Sequence, residues 1–583
     1  MRTLLLLGCI AAGAIAQPWQ PPESPVVFRA MERELERGLR QLAAENAPAP
    51  YYIEYRLQYR SALVVQAVLG TVTRSVAEPS LRLTVGMRVG SPELDNTNMA
   101  QVGFLLFGAA EGREPWQGRP IPLELDELTL RRELWLATDA AYKEAVEAYA
   151  RKLNLVRTRI RRDTTPDFRL LPPDTLLDTL PVPTVARHAI EQLCRELSAI
   201  FRDYPHFTAS AVGFEYLPAQ TWYCNSEGRR AVKTELFTGL EVVAYAQGRD
   251  GTPLAQYYSV YVRTPQELPS RDSLIRAVRL LAQRLESQRN APALEEPYVG
   301  PVLFEGRAAG ELFAQAFVPN VVAVREPMSE FLPVGGRMRG LQQRLGTRVL
   351  PPFLSVWATP CRRTFEGTPL VGSFCVDDEG MAAESVAVVV GGVARGLLTT
   401  RVPVRWVQMP GGHNRAGAPM PGVLEIASDT ALPVAQLRER FLELLRERGL
   451  SYGLVVRSVA NINIVQTILA RTTLGAYPPF VREGTLALLE LYRVYPDGRE
   501  ELLQPCDAVG VVLRSLRDIV AVSQRRIAYN YLAPAAAPGS EMPYLPVSLI
   551  VPDVLLEELE VRPREGDVPK LPVVPPPFVQ EGR

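Results

Sequence analysis

The sequence predicts an α+β protein of two domains. Three observations carry that expectation. A theme of helix followed by alternating strands occurs twice before residue 292, the texture changes after residue 296 to short strands joined by glycine turns, and 51 prolines are spread through 583 residues. Proline favours turns, edges and extended segments over long helices, and a chain of this length exceeds a single core. The N-terminal domain is expected over residues 25–292, in two similar halves of helix plus antiparallel meander. The C-terminal domain is expected over 296–562, on a large, curved, barrel-like antiparallel sheet with a few helices.

Taken in order, residues 1–16 (MRTLLLLGCIAAGAIA) join Arg2, an apolar run over 4–12 and the small-x-small site Ala14-Ile15-Ala16. This is the pattern of an export leader cleaved near Ala16, too short for a span and followed by Pro-rich sequence. A lipoprotein reading at Cys9 leaves only Leu4 to Leu7 ahead of the cysteine. No later segment reaches ~18 uninterrupted apolar residues, so the expected product is periplasmic or extracellular, with no membrane partner. Residues 28–44 set Met31, Leu35, Leu39 and Leu42 at helical spacing. Residues 53–60, 63–74 and 80–89 alternate as strands, and 134–157 reads as a helix with Trp135, Ala141, Ala145, Tyr149 and Leu153 on one side. The Pro- and Asp-rich connector 163–184 is not expected to form one regular element. The second half repeats the theme: helix 185–201, strands 208–217, 220–224, 229–239 and 242–247, a turn at Asn225-Ser226-Glu227-Gly228, then helix 274–287.

In the second domain a strand over 301–304 runs into a helix starting near Ala308. A hairpin 385–390/393–401, a glycine loop 411–417, a strand 423–428 and a helix 434–448 stopped by Gly449 follow. Strands are expected over 452–457, 462–469, 486–495, 510–513 and 526–531, and the proline-rich tail 563–583 as an extended surface segment.

Composition excludes some functions. Hydrophobic content of 47%, charge of 22% and a net charge of +0 describe an ordinary folded protein with no electrostatic reason to bind nucleic acid. Beyond the leader there are Cys194, Cys224, Cys361, Cys375 and Cys506, with no CxxC pair. Cys361 and Cys375 flank a hairpin and can pair in an exported protein; separate buried thiols are the equal alternative. Only His188, His206 and His413 are present, and HExxH, GxSxG, GxxxxGK[ST] and GxGxxG after a strand are all missing. The run Asp377-Asp378-Glu379-Gly380 reads as a solvated hairpin turn. His413 and Arg415 in the loop GGHNRAG, with Asn225, are the remaining polar loop candidates. A sheet-rich shell with many edges can still hold an extended peptide through main-chain hydrogen bonds, which needs no catalytic side chain.

Several segments together resemble the TldD/PmbA family of metallopeptidases and their catalytically silent partners. They are PVLFEGRAAGELF at 301–313, CNSEGRR at 224–230, GGVARGLLTTRVPVR at 391–405, GGHNRAG at 411–417, LALLELYRVYPDGREEL at 486–502 and PVSLIVPDVLLEELEV at 546–561. YYIEYRL at 51–57 and LDNTNM at 94–99 resemble an exported subgroup. Active members of that family begin this helix with HExxxH and complete a zinc site with a C-terminal cysteine, the glutamate acting as general base. Laid on this chain without gaps, those positions fall on Glu305, Gly306, Gly310 and, for the cysteine, Ser548. The resemblance therefore implies a silent, PmbA-like member that has no cofactor of its own. Zinc is implied only in an HExxxH-bearing TldD-like partner, with which this chain would form a dimer (hetero or homo) around a chamber for extended or unfolded peptides. Two other readings stand beside it: a stand-alone peptide- or protein-binding module, and an active hydrolase built on a different site such as His413.

Overall fold

The structure, a computed structural model, describes residues 19–43, 45, 47–99, 118–158, 164–328, 340–405, 407, 409–461, 484–535, 544–564 and 574. The export leader expected over 1–16, the strand expected over 462–469 and most of the 563–583 tail lie outside the described residues.

The N-terminal sheet is organised by one long hairpin. Strands β1 (Pro50–Val68) and β2 (Thr71–Ser91) pair antiparallel along almost their whole length and turn at Leu69-Gly70, both at positive φ. This corrects the expectation of three strands over 53–60, 63–74 and 80–89. The apparent break near Pro79 is absorbed in β2, where Pro79 pairs across to Ser61; a proline is tolerated there because β2 has no outer partner at that point among the described residues. The other edge of β1 pairs with β3 (Phe207–Tyr216) over residues 63–67 and with β4 (Ala219–Asn225) over 54–60. Strands β5 (Arg230–Glu235), β6 (Thr238–Gln247) and β7 (Pro253–Val262) give the order β7-β6-β3-β1-β4-β5. The connector contributes Thr175–Asp178 as a parallel edge strand on β5, a regular piece that its composition concealed.

Helices cover one face of this sheet. Residues of β1 alternate, and the odd-numbered set points to the helices. Ile53, Tyr55 and Leu57 pack with α1 (Ser24–Gln41) and α2 (Glu127–Thr158), while Leu63, Val65 and Ala67 pack with α3 (Arg187–Ala199) and α4 (Arg271–Gln288). The buried stripe of α2 is Leu130, Leu134, Ala137, Thr138 and Ala145. Trp135, expected on that stripe, is 51% exposed; the 4-3 spacing of Leu130, Leu134 and Ala137 leaves it one position off the packed side.

In the second domain β8 (Tyr298–Phe304), β9 (Leu354–Ala358), β10 (Val386–Val390), β11 (Val423–Ser428), β12 (Gly453–Val459), β13 (Thr485–Val494), β14 (Cys506–Val509), β15 (Ile519–Pro534) and β16 (Tyr544–Pro563) form one sheet. Its path β8-β12-β13-β14-β16 returns to β8, closing a barrel on the long strand β16. The other half of β16 carries β11, β9 and β10 as an open, curved extension. Two expectations are corrected here: only Val393–Ala394 of 393–401 is strand, and Cys506–Val509 rather than 510–513 forms the ladder, which Gly510 ends at positive φ. Helix α5 (Arg307–Ala316) is buried almost all round, with Leu312, Phe313 and Ala316, followed by Phe317, in the main core. Helix α6 (Val434–Glu447) packs Leu437, Phe441 and Leu445 outside the barrel against Leu303 and Leu555.

The face of the N-terminal sheet away from its helices lies against this second domain. Val243, Tyr245, Ala255 and Tyr261 pack there with Val371, so the N-terminal sheet is covered on both sides.

Candidate functional site

The site to test is the strand-to-helix junction between β8 and α5. The parallel ladder of β8 with β12 is extended by one bond, Glu305 N donating to Val456 O at 2.9 Å. The Glu305 carboxylate is turned to Arg457 (2.9 Å) and Arg438 (3.6 Å). Gly306 follows at φ 54° and ψ −119°, a conformation for glycine, and its N–H donates to Asp553 Oδ1 at 2.6 Å. Gly310, one turn into α5, faces the ring of Tyr529 on β15. A Cβ on Gly310 would lie 2.5 Å from two carbons of that ring.

The neighbouring Glu311 is 2% exposed. Its Oε1 accepts from Asn461 Nδ2 at 2.7 Å and from the Tyr529 hydroxyl, and its Oε2 from Gln315 Nε2 at 2.8 Å. Burial pushes its pKa up, and these donors hold it back. Arg307 leaves the helix start toward the N-terminal domain, donating to Ser259 Oγ on β7 at 2.6 Å. Ser548 on β16 is fully buried; its Oγ donates to Asn530 Oδ1 at 2.6 Å and accepts from Gly372 N at 3.0 Å. Asn530 is the register partner of Ser548, and Tyr529 is its chain neighbour, so β15 links the Ser548 position to the Gly310 position.

These residues do not fit a zinc ion. Zinc takes Cys sulfur, His nitrogen or carboxylate oxygen in a converging set. Here two positions are glycines, the carboxylate of Glu305 is committed to two arginines, the Ser548 hydroxyl is spent on Asn530 and Gly372, and an aromatic ring occupies the space beside Gly310. Among the described residues no group of three or more His, Cys, Asp or Glu side chains could hold a metal ion.

The loop candidates lie apart from this junction in function. Asn225 organises its own turn: Oδ1 accepts from Glu227 N and Arg229 N, each at 3.0 Å, while Nδ2 donates to Glu227 Oε2 at 3.1 Å. His413 is fully buried, with no hydrogen bond to either ring nitrogen that would pair it with a nucleophile or an acid. Burial, helped by the charge of Arg415 and opposed by the Glu384 main chain, brings its pKa down to about 4, so the ring is neutral at pH 7. Arg415 donates to Pro421 O at 2.7 Å and lies 5.1 Å from the centre of the Phe374 ring.

The sequence reading missed a buried polar junction between the domains. Arg401, fully buried, donates to Glu227 Oε2 and Oε1 (both 2.7 Å), Arg169 O (2.8 Å) and the Tyr52 hydroxyl (3.0 Å). Asp378 pairs with Lys233 at 2.5 Å and with Arg56 at 3.3 Å. Asp377 and Glu379 are buried as well. The run 377–380 is therefore not a solvated turn: Lys233 and Arg56, distant in sequence, draw it into the junction. The available signal was the even-numbered set of β1, Tyr52, Glu54 and Arg56, which is polar and faces the second domain.

Residues 297–562 match the family described as the PmbA/TldA metallopeptidase C-terminal domain. Solved structures similar in fold over nearly the whole chain include a Thermotoga maritima protein named as a modulator of a DNA gyrase, with TM-score 0.55, 14% identity and coverage of 92% of this chain and 99% of that one. TldE from Thermococcus kodakarensis gives TM-score 0.54, 12% identity and coverage of 91% and 100%. A Bacteroides thetaiotaomicron protein also named as a gyrase modulator gives 0.52, 10%, and 92% and 99%. At these identities the likeness is one of fold. No curated protein matches the chain. The β8–α5 junction, Tyr529 and Ser548 all fall within the matched residues.

Proposed function

We propose that this chain is a non-catalytic subunit of an exported peptidase complex of the TldD/PmbA type. It forms one wall of a chamber whose other wall is an HExxxH-bearing homologue that holds zinc and cuts the peptide. The observation that carries this reading is the ring of Tyr529 seated on Gly310, with Glu311 consumed by three internal donors. A helix start built this way supplies packing rather than a metal ligand or a base. The role left to the chain is to hold extended peptide, which sheet edges do through main-chain groups. Export is supported by the leader sequence and by the Cys361–Cys375 disulfide, a bond that persists in oxidising compartments.

The test is metal analysis of the purified protein together with co-purification from its native host. The chain alone should carry no stoichiometric zinc, and an HExxxH-bearing homologue should accompany it and bring the metal. Stoichiometric zinc in the chain alone overturns the silent assignment, and a clean monomer with no such companion overturns the subunit assignment.

A further inference from the structure

We infer that the Cys361–Cys375 disulfide fastens a redox-sensitive clasp that fixes the N-terminal sheet onto the C-terminal domain. The bond joins residues 14 apart in sequence with Cα atoms 4.8 Å apart. Both cysteines belong to the second domain, yet the segment they close touches both domains. Arg363 pairs with Asp178 Oδ1 at 2.5 Å, and Cys375 N donates to Asp178 Oδ2 at 3.0 Å. The two ends of the closed segment thus grip the two oxygens of one carboxylate on the N-terminal edge strand. Between them, Val371 enters the apolar cluster of the N-terminal sheet. Arg263, just beyond β7, donates to Arg363 O and to Ser373 Oγ (3.2 Å). On the opposite side Gly372 N donates to Ser548 Oγ at 3.0 Å, and Asn530 Nδ2 to Pro369 O at 2.8 Å. The seat is tight: a Cβ on Gly372 would lie 2.1 Å from Gly422 O.

The cross-link holds these contacts in register. Without it Arg363 and Cys375 approach Asp178 independently, and the insertion of Val371 loses its anchor at both ends. Cys361 is exposed and Cys375 half-buried, so a reductant in solvent can reach this bond; Cys194, Cys224 and Cys506 are buried thiols with no bond to reduce. A dithiol reductant supplies two electrons and two protons: the sulfur–sulfur bond breaks, Cys361 and Cys375 become thiols, and the dithiol closes into its own disulfide. The inference stands whether or not the chain serves a peptidase.

The experiment uses the full chain, exported into an oxidising compartment, with alkylation counted by mass spectrometry and amide hydrogen exchange read with and without dithiothreitol. Neither Cys361 nor Cys375 should alkylate before reduction, and both should after. Reduction should speed exchange by about tenfold or more at residues 175–178, 259–262 and 370–375, and leave α6 unchanged. The pair C361S/C375S should show the same pattern without reductant; if that variant does not fold, reduced wild type carries the test. R363A, with the disulfide intact, should speed exchange at 175–178 and leave 370–375 slow. A free thiol at Cys361 or Cys375 in the untreated protein, unchanged exchange on reduction, acceleration spread equally over α6, or no response at 175–178 in R363A would each overturn the clasp.

Discussion

Gly310→Ala probes whether the β8–α5 junction is a packed element. The added methyl would sit 2.5 Å from Cγ and Cδ1 of Tyr529 and 2.9 Å from its Cβ. Carbon atoms settle near 3.5–4.0 Å, so the ring must retreat by about 1 Å. It has little room: Tyr529 is 3% exposed, stacks on Tyr531 with centroids 5.6 Å apart, and bonds to buried Glu311. Overpacking a filled core costs about 1–3 kcal/mol. Pulling the hydroxyl from a buried acceptor adds about 1–3 kcal/mol, and replacing a helical glycine by alanine returns about 0.5–1 kcal/mol. The net expectation is a loss of about 1–5 kcal/mol, read as a lower urea midpoint at unchanged m-value. Tyr529→Ala alone should cost about 3–5 kcal/mol by the same measure. In the double variant the methyl occupies space the ring has left, so the two losses should fall short of adding by about 1 kcal/mol or more. A neutral or stabilising G310A, or strict additivity, would refute the claim that Tyr529 and Gly310 share one filled space.

Two further outcomes concern the domain junction. Arg401→Met strands Glu227, the Tyr52 hydroxyl and Arg169 O in a buried setting, and should lower stability by about 3–5 kcal/mol in urea titration; Arg401→Lys should restore only part of it, since an ammonium cannot span the same acceptors. Burial alone would raise the pKa of Asp378, but Lys233 and Arg56 outweigh it and hold the carboxyl below its usual range. With the folded value below the unfolded one, its stabilisation is present at neutral pH and fades as pH falls below about 4. The stability gap between wild type and Asp378→Asn should therefore shrink between pH 5 and pH 2, and a gap that stays constant would place the ion pair's effect elsewhere.

The parts of this molecule that could be read from the sequence were those fixed by local pattern or by elimination. Helical spacing located α1, α3, α4 and α6, and the long alternation of YYIEYRLQYR located β1, because side-chain period follows from backbone geometry alone. Period says that two faces differ, but not what covers the polar one. Arg56 meets Asp378 of the second domain, and the run 377–380 read as a solvated turn because its partner Lys233 lies far away in the chain. At residues 305–310 the expectation rests on elimination, since a glycine side chain offers no ligand in any fold. What elimination could not supply is the reason the position is closed. Tyr529 is brought to Gly310 by the pairing of β15 with β16, and the same pairing sets Asn530 on Ser548. A histidine placed at 310 would meet the Tyr529 ring before any metal, and a cysteine at 548 would forfeit the bonds that seat Asn530 and Gly372. The positions the resemblance assigns to ligands are thus locked by three separate elements at once, α5, β15 and β16. A single substitution on any one of them leaves the contacts from the other two in place, so the region behaves as one packed unit.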